Sequence, residues 1–72
     1  MLFQFAIIGC GNIGRRHADH IRAVGRLAAV CDIDNAKAIE LGKKHDANIY
    51  FSIESLLAAE KGLDVIAVCT PN

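Results

Sequence analysis

The sequence predicts an α/β fold: a four-stranded parallel sheet in the order 3-2-1-4, wound with three helices as β-α-β-α-β-α-β. Three observations carry this. An apolar run from Leu2 to Ile8 stops at Gly9-Cys10-Gly11-Asn12-Ile13-Gly14, a G-x-G-x-x-G, and helical spacing begins at once. A second apolar run ends at Asp32, about 20 residues beyond the turn, where dinucleotide-binding units place an acid. Apolar runs then alternate with helical patterns to the end of the chain, which implies parallel strands joined by right-handed crossovers.

Taken in order, residues 2–8 form the first strand, nearly all apolar and so suited to burial on both faces. From Asn12 to Val24 the period changes to that of a helix. Ile13, His17, Ile21 and Val24 are expected on its packed face, with Arg15, Asp19 and Arg22 spaced for weak surface pairs. Gly25 is the expected stop. Residues 27–31 form the second strand. Asp34 is the expected N-cap of a helix over 35–45, with Ala38, Ile39, Leu41 and Gly42 inward and Lys43 and Lys44 near its C-terminal dipole. Residues 48–51 read as a short third strand. Ser52 caps a short helix bearing Ile53, Leu56 and Leu57, which stops by Gly62. Residues 63–70 form the fourth strand, and Thr70-Pro71-Asn72 ends the sequence. The expected order puts the first two helices on one face of the sheet and the third alone on the other.

The 72 residues are 53% hydrophobic and 22% charged, with formal net charge zero. No basic patch suits nucleic acid, and no apolar run is long enough for a membrane span or a signal segment. Three cysteines, odd in number and without C-x-x-C spacing, favour free thiols and a cytoplasmic setting over a disulfide frame.

The glycines give the turn its chemistry. Gly9 lets the chain leave the strand sharply, Gly11 lets backbone approach a pyrophosphate, and Gly14 lets the helix pack closely on the sheet. The helix N-terminus, with Asn12 and Ile13 in its first turn, then faces the anion. Asp32 is placed to accept hydrogen bonds from the adenosine ribose and to repel a 2′-phosphate. Ile33, rather than a base, follows it, so NAD is favoured over NADP. A capping role for Asp32 is the simpler alternative. His17 reads as a packed helix residue rather than a proton carrier, and His20 and His45 as surface residues. Cys10, Cys31 and Cys69 each end a strand. They are expected to fill space beside the cofactor rather than bind metal, and the helix N-terminus is positioned to lower the Cys10 pKa.

The runs Gly9-Cys10-Gly11-Asn12-Ile13-Gly14-Arg15-Arg16-His17, Cys31-Asp32-Ile33-Asp34, Ser52 with Leu56-Leu57, and Asp64-Val65-Ile66 through Thr70-Pro71-Asn72 together resemble the Gfo/Idh/MocA oxidoreductases. The resemblance implies a partial Rossmann fold that binds NAD. Gly9, Gly11, Asn12, Ile13 and Gly14 would meet the pyrophosphate and Asp32 the adenine ribose. Thr70, Pro71 and Asn72 would lie along the nicotinamide. It implies hydride transfer to or from a sugar, polyol or nucleotide-sugar carbon. The family's catalytic lysine, in a Glu-Lys-Pro motif, and its substrate domain would follow residue 72. Residues 1–72 are then expected to be the first part of a dinucleotide-binding domain from a homo-oligomeric enzyme. The fourth strand, without charge or proline in Val65-Ile66-Ala67-Val68, is expected to need a neighbour. A dinucleotide-sensing module without catalysis, and an enzyme using S-adenosylmethionine, are the alternatives on the same fold.

Overall fold

The computed structural model describes residues 3–69. Four strands and three helices alternate: β1 (Phe3–Ile8), α1 (Asn12–Val24), β2 (Gly25–Cys31), α2 (Asn35–His45), β3 (Asn48–Tyr50), α3 (Ile53–Ala59) and β4 (Val65–Val68). The sheet order is β3-β2-β1-β4, with all pairings parallel. This is the predicted winding, and it brings the carboxyl ends of β1 and β2 side by side.

Each sheet face has its own core. Ile7, Leu27 and Val30 pack with Ala18 and Ile21 of α1 and Leu41 of α2. Ala6, Ile8, Ala29 and Cys31 pack on the other face with Leu56 of α3. Strict alternation along β2 would set Leu27 beside Ala29. Instead the register shifts, with Phe5 opposite Leu27 and Ala6 opposite Ala29. Ala28 is thus the extra residue of a bulge, and it moves Leu27 to the Val30 side.

The faces of α1 and α2 differ from expectation. The buried residues of α1 are Gly14, Ala18 and Ile21, while Ile13, His17 and Val24 are exposed. Small residues at 14 and 18 bring the helix close to the sheet, and that rotation turns Ile13 and His17 outward. Ile39 is likewise exposed, leaving Ala38, Leu41 and Gly42 to seat α2. In α3 only Leu56 is buried, and Ile53 and Leu57 are exposed. Ion pairs join helices rather than run along one: Arg15 of α1 meets Glu40 of α2 at 2.6 Å, and Lys44 of α2 lies 3.8 Å from Asp19.

The helix ends explain the connections. Asp34 caps α2 through the Lys37 amide, and Ser52 caps α3 through the Ser55 amide, as the sequence indicates. Gly25 ends α1 in extended backbone and starts β2 directly, so its role is steric. A β-carbon there would stand 2.4 Å from the Phe3 carbonyl oxygen. The left-handed helix end belongs instead to Asp46, at φ 54°. Among the described residues the outer strands are shorter than expected: β3 ends at Tyr50 and β4 begins at Val65, while Thr70, the expected last residue of β4, lies outside the described residues.

On the α3 face, Ile66 and Val68 are register partners of the buried Ala6 and Ile8, yet both are exposed. The third helix therefore covers the centre of that face and leaves β4 bare. His45, expected at the surface, has a side chain only 2% exposed. Its Nε2 has no hydrogen-bond partner among the described residues and lies 3.7 Å from Asp19 Oδ1. Burial lowers its pKa below 6.5; the Asp19 charge opposes that shift, and Lys44 and Arg22 reinforce it. A base whose folded pKa is depressed adds stability that is complete above its unfolded value and is lost as pH falls through the folded one. Unfolding free energy should therefore drop on acidification below about pH 6.5, and the drop should shrink in His45→Gln. Chemical denaturation of both proteins across pH 5–8 checks this; identical slopes would contradict it.

Candidate functional site

The carboxyl ends of β1 and β2 open onto a cleft of about 720 Å³, lined by Gly9, Gly11, Asn12, Ile13, Asp32, Ile33, Asp34, Lys37 and Cys69. A smaller recess of about 270 Å³ lies beside it, lined by Ile8, Gly9, Cys31, Asp32, Ile33, Ser52, Ile53 and Glu54. Gly9, Asp32 and Ile33 border both. The predicted residues Gly9, Gly11, Asn12, Ile13 and Asp32 thus meet at one site. Gly14 stands behind it, buried under the turn. Thr70, Pro71 and Asn72 lie outside the described residues.

The three glycines of the turn do different jobs. Gly9 has φ 98°, open to glycine at no steric cost, and donates its N–H to the Cys31 carbonyl at 2.8 Å. Gly14 is a contact residue: a β-carbon there would lie 2.1 Å from the Gly9 carbonyl oxygen. Gly11 faces open space, with nothing within 4 Å of where its β-carbon would stand. The room at Gly11 opens on the cleft, so that backbone is free for close approach.

Among the three helices, α1 alone begins without a side-chain cap, its N-cap residue being Gly11. The first intrahelical bond runs from the Arg15 N–H to the Gly11 carbonyl, 2.9 Å. The N–H groups of Asn12, Ile13 and Gly14 precede that bond, so they are the donors a helix start leaves for an outside acceptor. With the helix dipole, they are donors of the kind that can receive an anion of two or more oxygens.

Asp32 is half-buried and already engaged. Its Oδ2 accepts the Cys10 N–H at 2.8 Å, and its Oδ1 accepts the Asp34 N–H at 2.8 Å. Two further lone-pair positions on the carboxylate remain for ribose hydroxyls. Lys37 reaches the same cleft from the first turn of α2. The signal for it in the sequence is its spacing, one turn beyond the cap Asp34 and five residues beyond Asp32.

The cysteines contradict two expectations. Cys10 does not sit at the cleft surface: it is fully buried in the core under α1, with Sγ 3.5 Å from the Cys31 carbonyl. Its pKa is pushed up to about 11, first by burial and then by the Asp32 charge, rather than down by the helix N-terminus. All three thiols lie at the carboxyl edge of the sheet, but on both of its faces. Cys10 and Cys69 belong to the α1 face, and Cys31 to the α3 face. Burial raises the Cys31 and Cys69 pKa values as well.

Residues 3–72 match an oxidoreductase family with an NAD-binding Rossmann fold. A UDP-N-acetylglucosamine 3-dehydrogenase from Acidithiobacillus ferrooxidans is 32% identical over 66 residues, which are 92% of this chain and 20% of that protein. The crystal structure of a myo-inositol dehydrogenase from Corynebacterium glutamicum superposes with TM-score 0.91 at 26% identity, over 99% of this chain and 22% of that one. A myo-inositol dehydrogenase from Lactobacillus casei, solved with NAD(H) and myo-inositol, gives 0.80 at 26% identity, over 97% and 22%. The chain therefore spans about a fifth of the length of these relatives.

Thiol accessibility gives a direct check on the site's geometry. Cys69, half-buried at the cleft, should be alkylated first, and Cys10 should resist iodoacetamide at pH 8 until the protein unfolds. Mass mapping of the modified thiols against time measures this. Rapid modification of Cys10 in the folded protein would contradict its placement.

Proposed function

The chain belongs to the Gfo/Idh/MocA oxidoreductase family, and on that premise we propose that its turn and cleft hold NAD(H) for hydride transfer at a sugar, polyol or nucleotide-sugar carbon. The observation that carries the reading is the uncapped start of α1 beside an open Gly11 and a carboxylate. In this reading the pyrophosphate takes the N–H groups of Asn12, Ile13 and Gly14, with Gly9 and Gly11 giving it room. Asp32 accepts from the adenosine ribose, and the recess between Ile33 and Ile53 receives the adenine. Thr70, Pro71 and Asn72 would continue toward the nicotinamide, as the resemblance implies.

NAD, when bound, supplies the hydride acceptor. The residues described here bind and orient it; none of them is proposed to move the substrate proton. Related dehydrogenases act on myo-inositol and on UDP-N-acetylglucosamine, which supports a polyhydroxylated substrate for the parent enzyme. Residues 1–72 would be the first part of its dinucleotide-binding domain. Among the described residues no helix is long and apolar enough to cross a membrane. Three free cysteines support a reducing, cytoplasmic setting. The uncovered β4 supports assembly, either with further chain or as a homo-oligomer.

Two glycine variants separate binding from folding. Gly11→Ala places a methyl group in open space, so the fold should hold while NAD(H) affinity falls by about tenfold or more, 1.4 kcal/mol. Gly14→Ala drives a methyl group into the Gly9 carbonyl and should lower the unfolding temperature as well. Calorimetric titration and thermal unfolding of both variants check this; undiminished binding in Gly11→Ala would overturn the site.

Cofactor choice follows from charge. A 2′-phosphate beside Asp32 meets a carboxylate, so NAD(H) should bind more tightly than NADP(H), despite Lys37 in the same cleft. Measured dissociation constants for both cofactors decide the matter. Tighter NADP(H) binding would show that Lys37 prevails.

A further inference from the structure

We propose that Asp32 is a positioning residue for the glycine turn, holding it in its anion-receiving form before any nucleotide arrives. This role is separate from its proposed contact with ribose, and its use in cofactor binding rests on the dinucleotide reading above.

The geometry is that of a clasp between two strand ends. Residue 10 is fixed twice. Its thiol is buried in the core with Sγ 3.5 Å from the Cys31 carbonyl, and its N–H is held by Asp32 Oδ2 at 2.8 Å. The neighbouring Gly9 N–H is fixed separately, by the Cys31 carbonyl at 2.8 Å. Residues 9 and 10 are therefore laced to the end of β2, while Gly11 begins α1 facing open space. The second carboxylate oxygen accepts the Asp34 N–H at 2.8 Å, and Asp34 itself caps α2. A single carboxylate thereby couples the glycine turn to the start of α2. Bonds from N–H to an ionised acceptor are stronger than neutral ones. A neutral amide at position 32 keeps one acceptor oxygen and turns the other atom into a donor, so it cannot accept both N–H groups on its two atoms.

The clasp has a consequence for electrostatics. A carboxylate next to an anion receptor opposes the anion through Coulomb's law. A residue that only received ribose would weaken pyrophosphate binding, and its removal would strengthen it. A residue that shapes the turn has the opposite effect when removed.

The test uses the full-length protein without dinucleotide, comparing amide hydrogen exchange in wild type, Asp32→Asn and Asp32→Ala. Protection of Ile7 and Ile8, in the doubly paired β1, reports that the sheet is intact. The expected result is exchange at Cys10 faster by about tenfold or more in Asp32→Ala, with a smaller rise in Asp32→Asn, whose one acceptor oxygen serves only one of the two N–H groups at full strength, and with Gly9 much less affected, since its acceptor is main chain. Unchanged protection at Cys10 in Asp32→Ala with an intact β1 would overturn the proposal. Loss of β1 protection in both variants would also overturn it, since Asp32 would then support the sheet rather than the turn. Titration with inorganic pyrophosphate adds the functional readout: affinity should fall in Asp32→Ala, and a rise would overturn the positioning role. If pyrophosphate fails to bind the wild type while the Cys10 exchange behaves as expected, the clasp stands and the dinucleotide reading fails.

Discussion

The contact between the Gly9 carbonyl and residue 14 is the constraint on which the rest depends. No side chain fits at 14, because a β-carbon would stand 2.1 Å from that oxygen. Given glycine there, α1 can begin immediately over the end of β1. Ala18 and Ile21 then follow one and two turns on and complete the seat of the helix on the sheet. The close seat places the first N–H groups of α1 above the carboxyl edge, where the Gly9 and Cys10 amides are already tied to β2. Fold and site are thus consequences of one short approach. A larger residue at 14 would lift the helix, open the core around Ile7 and Val30 and withdraw the anion receptor together.

Much of this was legible in the sequence. The helix bounds 12–24 and 35–45 and the caps Asp34 and Ser52 follow from local rules, whereas the strand order and the split of helices between faces follow from the topology that the glycine turn and Asp32 indicate. The local rules concern a few neighbouring residues, and the structure obeys them. The positions of Gly9, Gly11 and Asp32 around one cleft were legible from the topology: strand ends in a parallel sheet share an edge.

What escaped depends on packing between elements. Apolar spacing alone assigned Ile13 and Val24 to the inner face of α1, but the sheet accepts Gly14 and Ala18 there, and small residues carry little apolar signal. The bulge at Ala28 has no mark in a run of Leu-Ala-Ala-Val-Cys, since every residue is apolar. Cys10 was read by its place in a binding loop, whereas its side chain turns into the core and its main chain faces Asp32. His45 is hidden because α2 packs against the sheet through a glycine, Gly42, which draws the helix end inward. For Asp32 the sequence indicates ribose binding or a local capping role, and the bond to the Asp34 N–H is of the second kind. Its bond to the Cys10 N–H depends on a fold that brings residue 10 within reach across 22 positions of sequence.

The central claim is that the N–H groups opening α1 receive the pyrophosphate of a dinucleotide. Titration of NAD into isotopically labelled full-length protein, followed by amide resonances, tests it most directly. Saturable shifts should concentrate at Gly11, Asn12, Ile13 and Gly14, with smaller ones at Ile33 and Ile53. Saturable binding that leaves those four amides unmoved would contradict it.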